Sequence, residues 1–212
     1  KLASFKNGEY DVLVGTQMIA KGLDFPNVTL VGVINADLGL FLPDFRAGER
    51  TFQLIYQVAG RSGRGKKPGE VIIQTNNPDD TVIIRASKLD MQKYYNICLS
   101  ERKELMYPPF SWIVKFNFSG KDKKQVEKSA HNVLKKLNNI PKQFRLFGPA
   151  PCPIEKLRGQ FRYHIIVSSP KNKDKNGEKL HTFLRNKLIK EKILTKRKGV
   201  SAVVDVDPAS LL

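Results

Sequence analysis

Gln57-Val-Ala-Gly-Arg-Ser-Gly-Arg64 sets two arginines three residues apart, each directly behind a glycine, with a glutamine upstream. Arginine keeps its charge at any ordinary pH, and its planar donor fork matches phosphate oxygens in pairs. Gly60 and Gly63 carry no side chain that would hold a phosphate away from the backbone. A guanidinium placed against a γ-phosphate stabilises the charge that spreads over it during transfer. One Gly-Arg pair would read as a solvated basic turn, whereas the full eight-residue pattern favours nucleotide contact through Gln57, Arg61 and Arg64. A different chemistry is suggested by Arg158-Gly-Gln-Phe-Arg-Tyr163, where cations and aromatics interleave. That composition suits stacking on bases and holding phosphates in single-stranded DNA. Lys156, Arg158, Arg162 and Tyr163 are therefore candidate DNA-binding residues.

Other polar residues carry weaker signals. His131 lies in a lysine-rich helical stretch and is expected to be exposed. His164 heads a strand and has no Ser or Cys that can be named as a catalytic partner, so a structural role is expected. Asp205 and Asp207 supply too few ligands for a metal site. Cys98 and Cys152 are far apart and belong to no C-x-x-C pair, so they do not form a zinc site and read as thiols in a reducing compartment. Lys171, Lys173 and Lys175 read as a solvated loop.

The Gln57–Arg64 pattern resembles the last motif of superfamily 2 helicases, Q-x-x-G-R-x-G-R. Val14-Gly-Thr-Gln-Met-Ile-Ala-Lys-Gly-Leu-Asp-Phe-Pro26 resembles the motif that precedes it, in the right order and spacing. The wording of this second stretch is similar to the primosomal protein N′ (PriA) family of bacterial replication-restart helicases. Tyr107-Pro-Pro-Phe110, Gly148-Pro-Ala-Pro151 and Asp205-Val-Asp-Pro208 resemble the C-terminal region of that family. The resemblance implies that Thr16 touches the DNA backbone and that Gly22 and Asp24 couple DNA to nucleotide. It implies that Gln57, Arg61 and Arg64 face a triphosphate held by another lobe. Thr16 as a local cap, Asp24 as a stabiliser of its own loop and Gln57 as a solvated helix residue are the alternatives.

The resemblance further implies ATP and Mg2+ as cofactors and 3′-to-5′ movement on DNA. The implied partners are forked and single-stranded DNA, single-stranded-DNA-binding protein and other primosome components, in a nucleoid-associated cytoplasmic setting. Family members carry zinc cysteines in an insertion upstream of the Val14 motif, and nothing about zinc transfers to the residues here. Lys1 is expected to be a fragment boundary. These residues contain no G-x-x-x-x-G-K-[ST] phosphate loop and no D-E-x-H magnesium motif. The chain alone is therefore expected neither to hydrolyse ATP nor to unwind DNA. Two alternatives stay open: a non-catalytic DNA- or protein-docking module, and a different superfamily 2 DNA translocase.

The totals fit a nucleic-acid partner. The chain has 212 residues and a hydrophobic content of 41%, enough for packed cores. No apolar run approaches the ~20 residues of a membrane span, and Lys1–Lys6 lacks the apolar run of a signal peptide. Net charge is +17 and uneven: residues 1–88 hold 11 basic against 9 acidic side chains, residues 89–212 hold 26 against 11. A field that positive attracts polyanions and speeds their association.

The elements that would position these residues alternate strand and helix in the first part. Apolar runs at Asp11–Val14, Val28–Ile34 and Gly69–Thr75 read as strands, with a helix over Thr51–Arg61 and a loop over Asn35–Arg50. This is the pattern of a parallel sheet flanked by helices, an α/β fold matching part of a RecA-like second helicase lobe, with ligands expected beyond the carboxyl ends of its strands. A helical stretch over Thr81–Met106 ends at Tyr107-Pro-Pro. The expected domains are 1–88 and 89–212. The second reads as β-α-β-β-α-β, a smaller α+β ferredoxin-like domain. Its short strand at Phe144–Phe147 is expected to end at the proline-rich Gly148–Pro153.

Overall fold

Strands β1 (Leu30–Val33) and β2 (Glu70–Ile73) pair in parallel, Leu30 opposite Glu70 and Val33 opposite Ile73. The computed structural model describes residues 1–16, 25, 27–60, 69–137, 139–194 and 198–212. Its contacts divide the chain into two units, Lys1–Leu42 with Arg46–Cys98, and Pro43–Phe45 with Leu99–Leu212. The division falls ten residues past the expected boundary. The cause is Tyr94, which is buried in the core of the first unit and carries the start of its helix with it.

In the first unit a short helix α1 (Leu2–Lys6) precedes β1. The loop expected over Asn35–Arg50 holds helix α2 (Asp37–Leu40) and the first turn of α3 (Ala47–Ala59). Ala47 is buried, so packing starts this helix earlier than the apolar spacing from Phe52 suggests. The expected helix over Thr81–Met106 is two, α4 (Thr81–Ser87) and α5 (Met91–Leu105). Leu89 adopts φ 54° between them. Each has its own aspartate at the start: Asp80 accepts from the Val82 N–H at 2.8 Å and Asp90 from the Lys93 N–H at 3.2 Å. Phe52, Ile55, Ile83, Ala86 and Tyr94 form the core, with Phe52 and Tyr94 stacked at 4.3 Å.

The strand expected over Asp11–Val14 is not formed. These residues have no regular structure, and Val12 and Val14 are 75% and 82% exposed. A β-branched run becomes a strand only where a neighbour completes its hydrogen-bond ladder. The described sheet consists of β1 and β2 alone.

The second unit matches its expected element order. Strands β3 (Ser111–Gly120), β4 (Arg145–Leu157), β5 (Gln160–Pro170) and β6 (Val200–Val206) form one antiparallel sheet in the order β4-β5-β3-β6. Helix α6 (Lys123–Lys136) follows β3, and α7 (Glu178–Arg185), continued by a π-turn over Asn186–Lys190, follows β5. Val114, Phe116, Phe118, Ile165 and Val167 point to the helix side and meet Val126, Ala130, Val133, Leu180 and Leu184 there. Asp122 caps α6 through the Lys124 and Gln125 N–H groups. Asp174, from the loop read as solvated, is buried and accepts from the Leu180 N–H at 3.0 Å, at the start of α7.

Strand β4 does not stop at the prolines. It runs on to Leu157 with register shifts between Phe147 and Ala150 and between Pro151 and Lys156. Proline lacks an N–H, and an edge strand has one side on which none is needed. β4 is such an edge.

Candidate nucleic-acid interface

Gln57 is exposed on the third turn of α3, because Phe52, Ile55 and Val58 turn the opposite face of the helix into the core. It lines a groove of about 80 Å³ together with Glu49, Tyr56, Met91 and Tyr95. Gly60 ends the helix, its N–H donating to the Tyr56 carbonyl at 3.1 Å. Arg61 and Arg64, which follow, lie outside the described residues, as do Gly22 and Asp24. Thr16 is described, exposed and in no regular element.

A polar cluster that the sequence reading missed sits past the carboxyl ends of β1 and β2. Asp37 is buried and accepts from the Thr75 hydroxyl at 2.6 Å, the Asn76 N–H at 2.7 Å and the Asn77 amide at 3.3 Å. The Asn76 N–H, then the Thr75 hydroxyl, hold its carboxyl below the usual aspartate value. A carboxyl with a depressed pKa stabilises the fold above its unfolded-state value, and that contribution is lost as pH falls through the folded-state value. Asp37→Asn should therefore lower the melting temperature at pH 7, and the gap to the parent chain should narrow below pH 3.8. The sequence signal was two polar loops following two adjacent parallel strands.

In the second unit the β4–β5 hairpin presents the predicted basic residues. Arg158 at φ 50° and Gly159 at φ 78° make its tip, the two positive φ values that a tight two-residue turn requires. Lys156 and Arg158 are exposed there, and the Lys156 ammonium lies 4.9 Å from the Phe161 ring centroid. Tyr163 corrects the sequence reading. Its side chain is 5% exposed within the helix-side core, so its ring cannot stack on a base. Alternation along β5 puts Arg162 on the other side of the sheet, where its Nη2 donates to a carboxyl oxygen of Leu212 at 3.1 Å.

His131 is exposed, as expected, with Nδ1 3.0 Å from the Glu127 carbonyl. His164 is half-buried, with Nδ1 3.3 Å from the sulfur of buried Cys152. Burial first, then the charges of Lys115 and Arg162, push the histidine pKa down from 6.5 to about 4. Burial also pushes the Cys152 thiol up, which keeps it protonated and unreactive. Between pH 6.5 and 4 the unfolded chain takes up a proton at His164 that the folded chain refuses. Stability is therefore full above that window and falls on acidification. The expected loss is about 2 kcal/mol, after discounting the full shift for solvent screening at a half-buried ring. Urea melts at pH 4.5 and 7 would measure it, and His164→Gln should remove it.

Among the described residues no three or more His, Cys, Asp or Glu side chains gather to hold a metal ion, and no helix is long and apolar enough to cross a membrane. Asp205 lies opposite Lys115 on β6, and the Asp207 N–H donates to the Ile113 carbonyl at 2.8 Å.

An α/β first unit, whose sequence carries the glutamine and glycine-arginine run, is followed by an antiparallel α+β unit, and the class these match is that of helicase C-terminal domains. Residues 1–66 match the model of the helicase conserved C-terminal domain, and residues 103–209 match that of the primosomal protein N C-terminal domain. The chain belongs to the primosomal protein N C-terminal domain family. It is similar to replication restart protein PriA of Bacillus subtilis, with 37% identity over 212 residues, covering 100% of this chain and 26% of the relative. It is likewise similar to PriA of Chlamydia pneumoniae, at 41% identity over 98% of this chain and 27% of the relative, and of Treponema pallidum, at 41% over 80% and 26%. The chain thus spans about a quarter of the length of these relatives.

Proposed function

We propose that this chain is the C-terminal part of an ATP-dependent 3′-to-5′ DNA helicase that recognises abandoned replication forks and restarts replication by assembling the primosome. The observation that carries this reading is the order of the two family matches, helicase C-terminal domain then primosomal domain, along a chain similar to PriA proteins. In the complete enzyme Gln57, Arg61 and Arg64 would face a triphosphate held with Mg2+ by another lobe, and Gly22 and Asp24 would couple it to DNA. ATP supplies the driving force when bound. The arginines stabilise developing charge on its phosphates. Thr16, Lys156, Arg158 and Arg162 would contact DNA phosphates.

Forked and single-stranded DNA, single-stranded-DNA-binding protein and other primosome proteins are the partners this reading assigns, in the bacterial cytoplasm near the nucleoid. Zinc would belong to a part of the longer protein outside this chain. The chain alone should release no phosphate from ATP, because its sequence holds no phosphate loop. A phosphate-release assay with and without single-stranded DNA tests this, and DNA-stimulated turnover would contradict it. A second reading, a docking module with an idle helicase part, is favoured by the basic excess in residues 89–212. In that case truncation to 1–88 abolishes DNA binding, and Arg64→Ala in a complete ATP-hydrolysing protein leaves turnover unchanged.

A further inference from the structure

We propose that the helix-free face of the β4-β5-β3-β6 sheet is a binding platform for single-stranded DNA, closed in this structure by the chain's own last residues. Both helices of the unit cover one face, through the core around Phe116 and Ile165. Alternation sends the intervening side chains to the other face. Phe147, Ile166 and Lys115 stand in one row across β4, β5 and β3, with Asp205 next on β6. His164 and Asn117 form the row beside it, and Arg162 follows His164 on β5.

This face is built for an anion. Lys115 is 1% exposed, and its ammonium donates to the Leu211 carbonyl at 2.8 Å and to a carboxyl oxygen of Leu212, the last residue of this chain, at 2.9 Å. Arg162 donates to the same Leu212 carboxyl oxygen. Two like charges share one oxygen of this carboxyl, a contact that a phosphate oxygen could make in its place. Asn117 Oδ1 is buried beside them with no hydrogen-bond partner, as expected of a base-reading group without its base. Phe147 is 54% exposed in the Lys115 row, a ring on which a base can stack. Four-stranded sheets with splayed single strands on their open face are one established mode of nucleic-acid recognition, though fold analogy alone assigns no function.

The closing segment is held at its own points. The chain turns at Asp207, φ 50°, and crosses the face. Asp44 accepts from the Ser210 hydroxyl and from the Leu211 N–H at 3.1 Å, and the Leu212 N–H donates to Ser210 Oγ at 3.1 Å. The Leu212 carboxyl thus stands in for a phosphate, and DNA must displace the strap to reach the two cations.

The inference rests on the reading of the second unit as DNA-binding, and the experiment separates the two. Labelled oligo(dT) of about 16 nucleotides, the upper site size of a small single-strand-binding fold, is titrated into the 212-residue chain and into a chain lacking Ser210–Leu212. Removing the strap should tighten binding about fivefold or more. Phe147→Ala or Arg162→Ala should each reverse that gain, by about fivefold, as expected for one stacked base or one phosphate contact. If the shortened chain does not fold by circular dichroism, Asp44→Ala in the full chain should tighten binding in the same direction. Unchanged affinity on releasing the strap, or a gain that survives both substitutions, overturns the platform. If intact binding is still lost on Lys156→Ala with Arg158→Ala, the DNA-binding reading stands without it. No binding by any form overturns both.

Discussion

Phe116→Ala is expected to cost about 3–5 kcal/mol and to leave the second unit largely unfolded near body temperature. The ring is 0% exposed on a central strand, packed among side chains of the helix-side core. Its removal deletes a large apolar payload and leaves a cavity that helices pinned by the Asp122 and Asp174 hydrogen bonds cannot close. DNA affinity should fall with the loss of fold, since hairpin and sheet depend on β3. A urea melt followed by far-ultraviolet circular dichroism measures the loss. A change under about 1 kcal/mol would mean that this core does not hold the sheet.

Lys156→Ala combined with Arg158→Ala should weaken single-stranded DNA binding about tenfold at moderate salt and lower the slope of log affinity against log salt by about 2. Both side chains are exposed at a hairpin tip whose backbone the substitutions leave intact. Each removes one phosphate contact and the counterion release that accompanies it. The loss should be similar for different DNA sequences, because phosphate contacts position a strand without reading it. Melting temperature should stay unchanged, which separates this effect from that of Phe116.

The second unit was nearly all legible in the sequence, because alternation along β3 and β5 and helical spacing along α6 mark which faces are buried. Strand β4 was misjudged at its prolines, since edge position is a property of the sheet and not of the segment. Tyr163 was misassigned for the opposite reason. Composition groups it with Arg158 and Arg162, while strand parity sends it to the core and Arg162 to the open face. In the first unit Val12 and Val14 carry strand propensity with no described ladder to join. The Asp37 cluster depended on two loops 38 residues apart meeting, and no local pattern reports that. The strap over Lys115 was invisible because a lysine in an alternating strand looks solvent-facing until another segment covers it. The glycine-arginine run, by contrast, was legible as chemistry from eight residues alone.

The most direct test of the account is a titration of labelled single-stranded DNA into the purified 212-residue chain across salt concentrations. Log affinity should fall linearly with log salt, with a slope of about −0.7 per phosphate contact and a total reporting several contacts. Affinity that is absent, or flat across the salt range, would contradict the assignment of this basic unit to DNA.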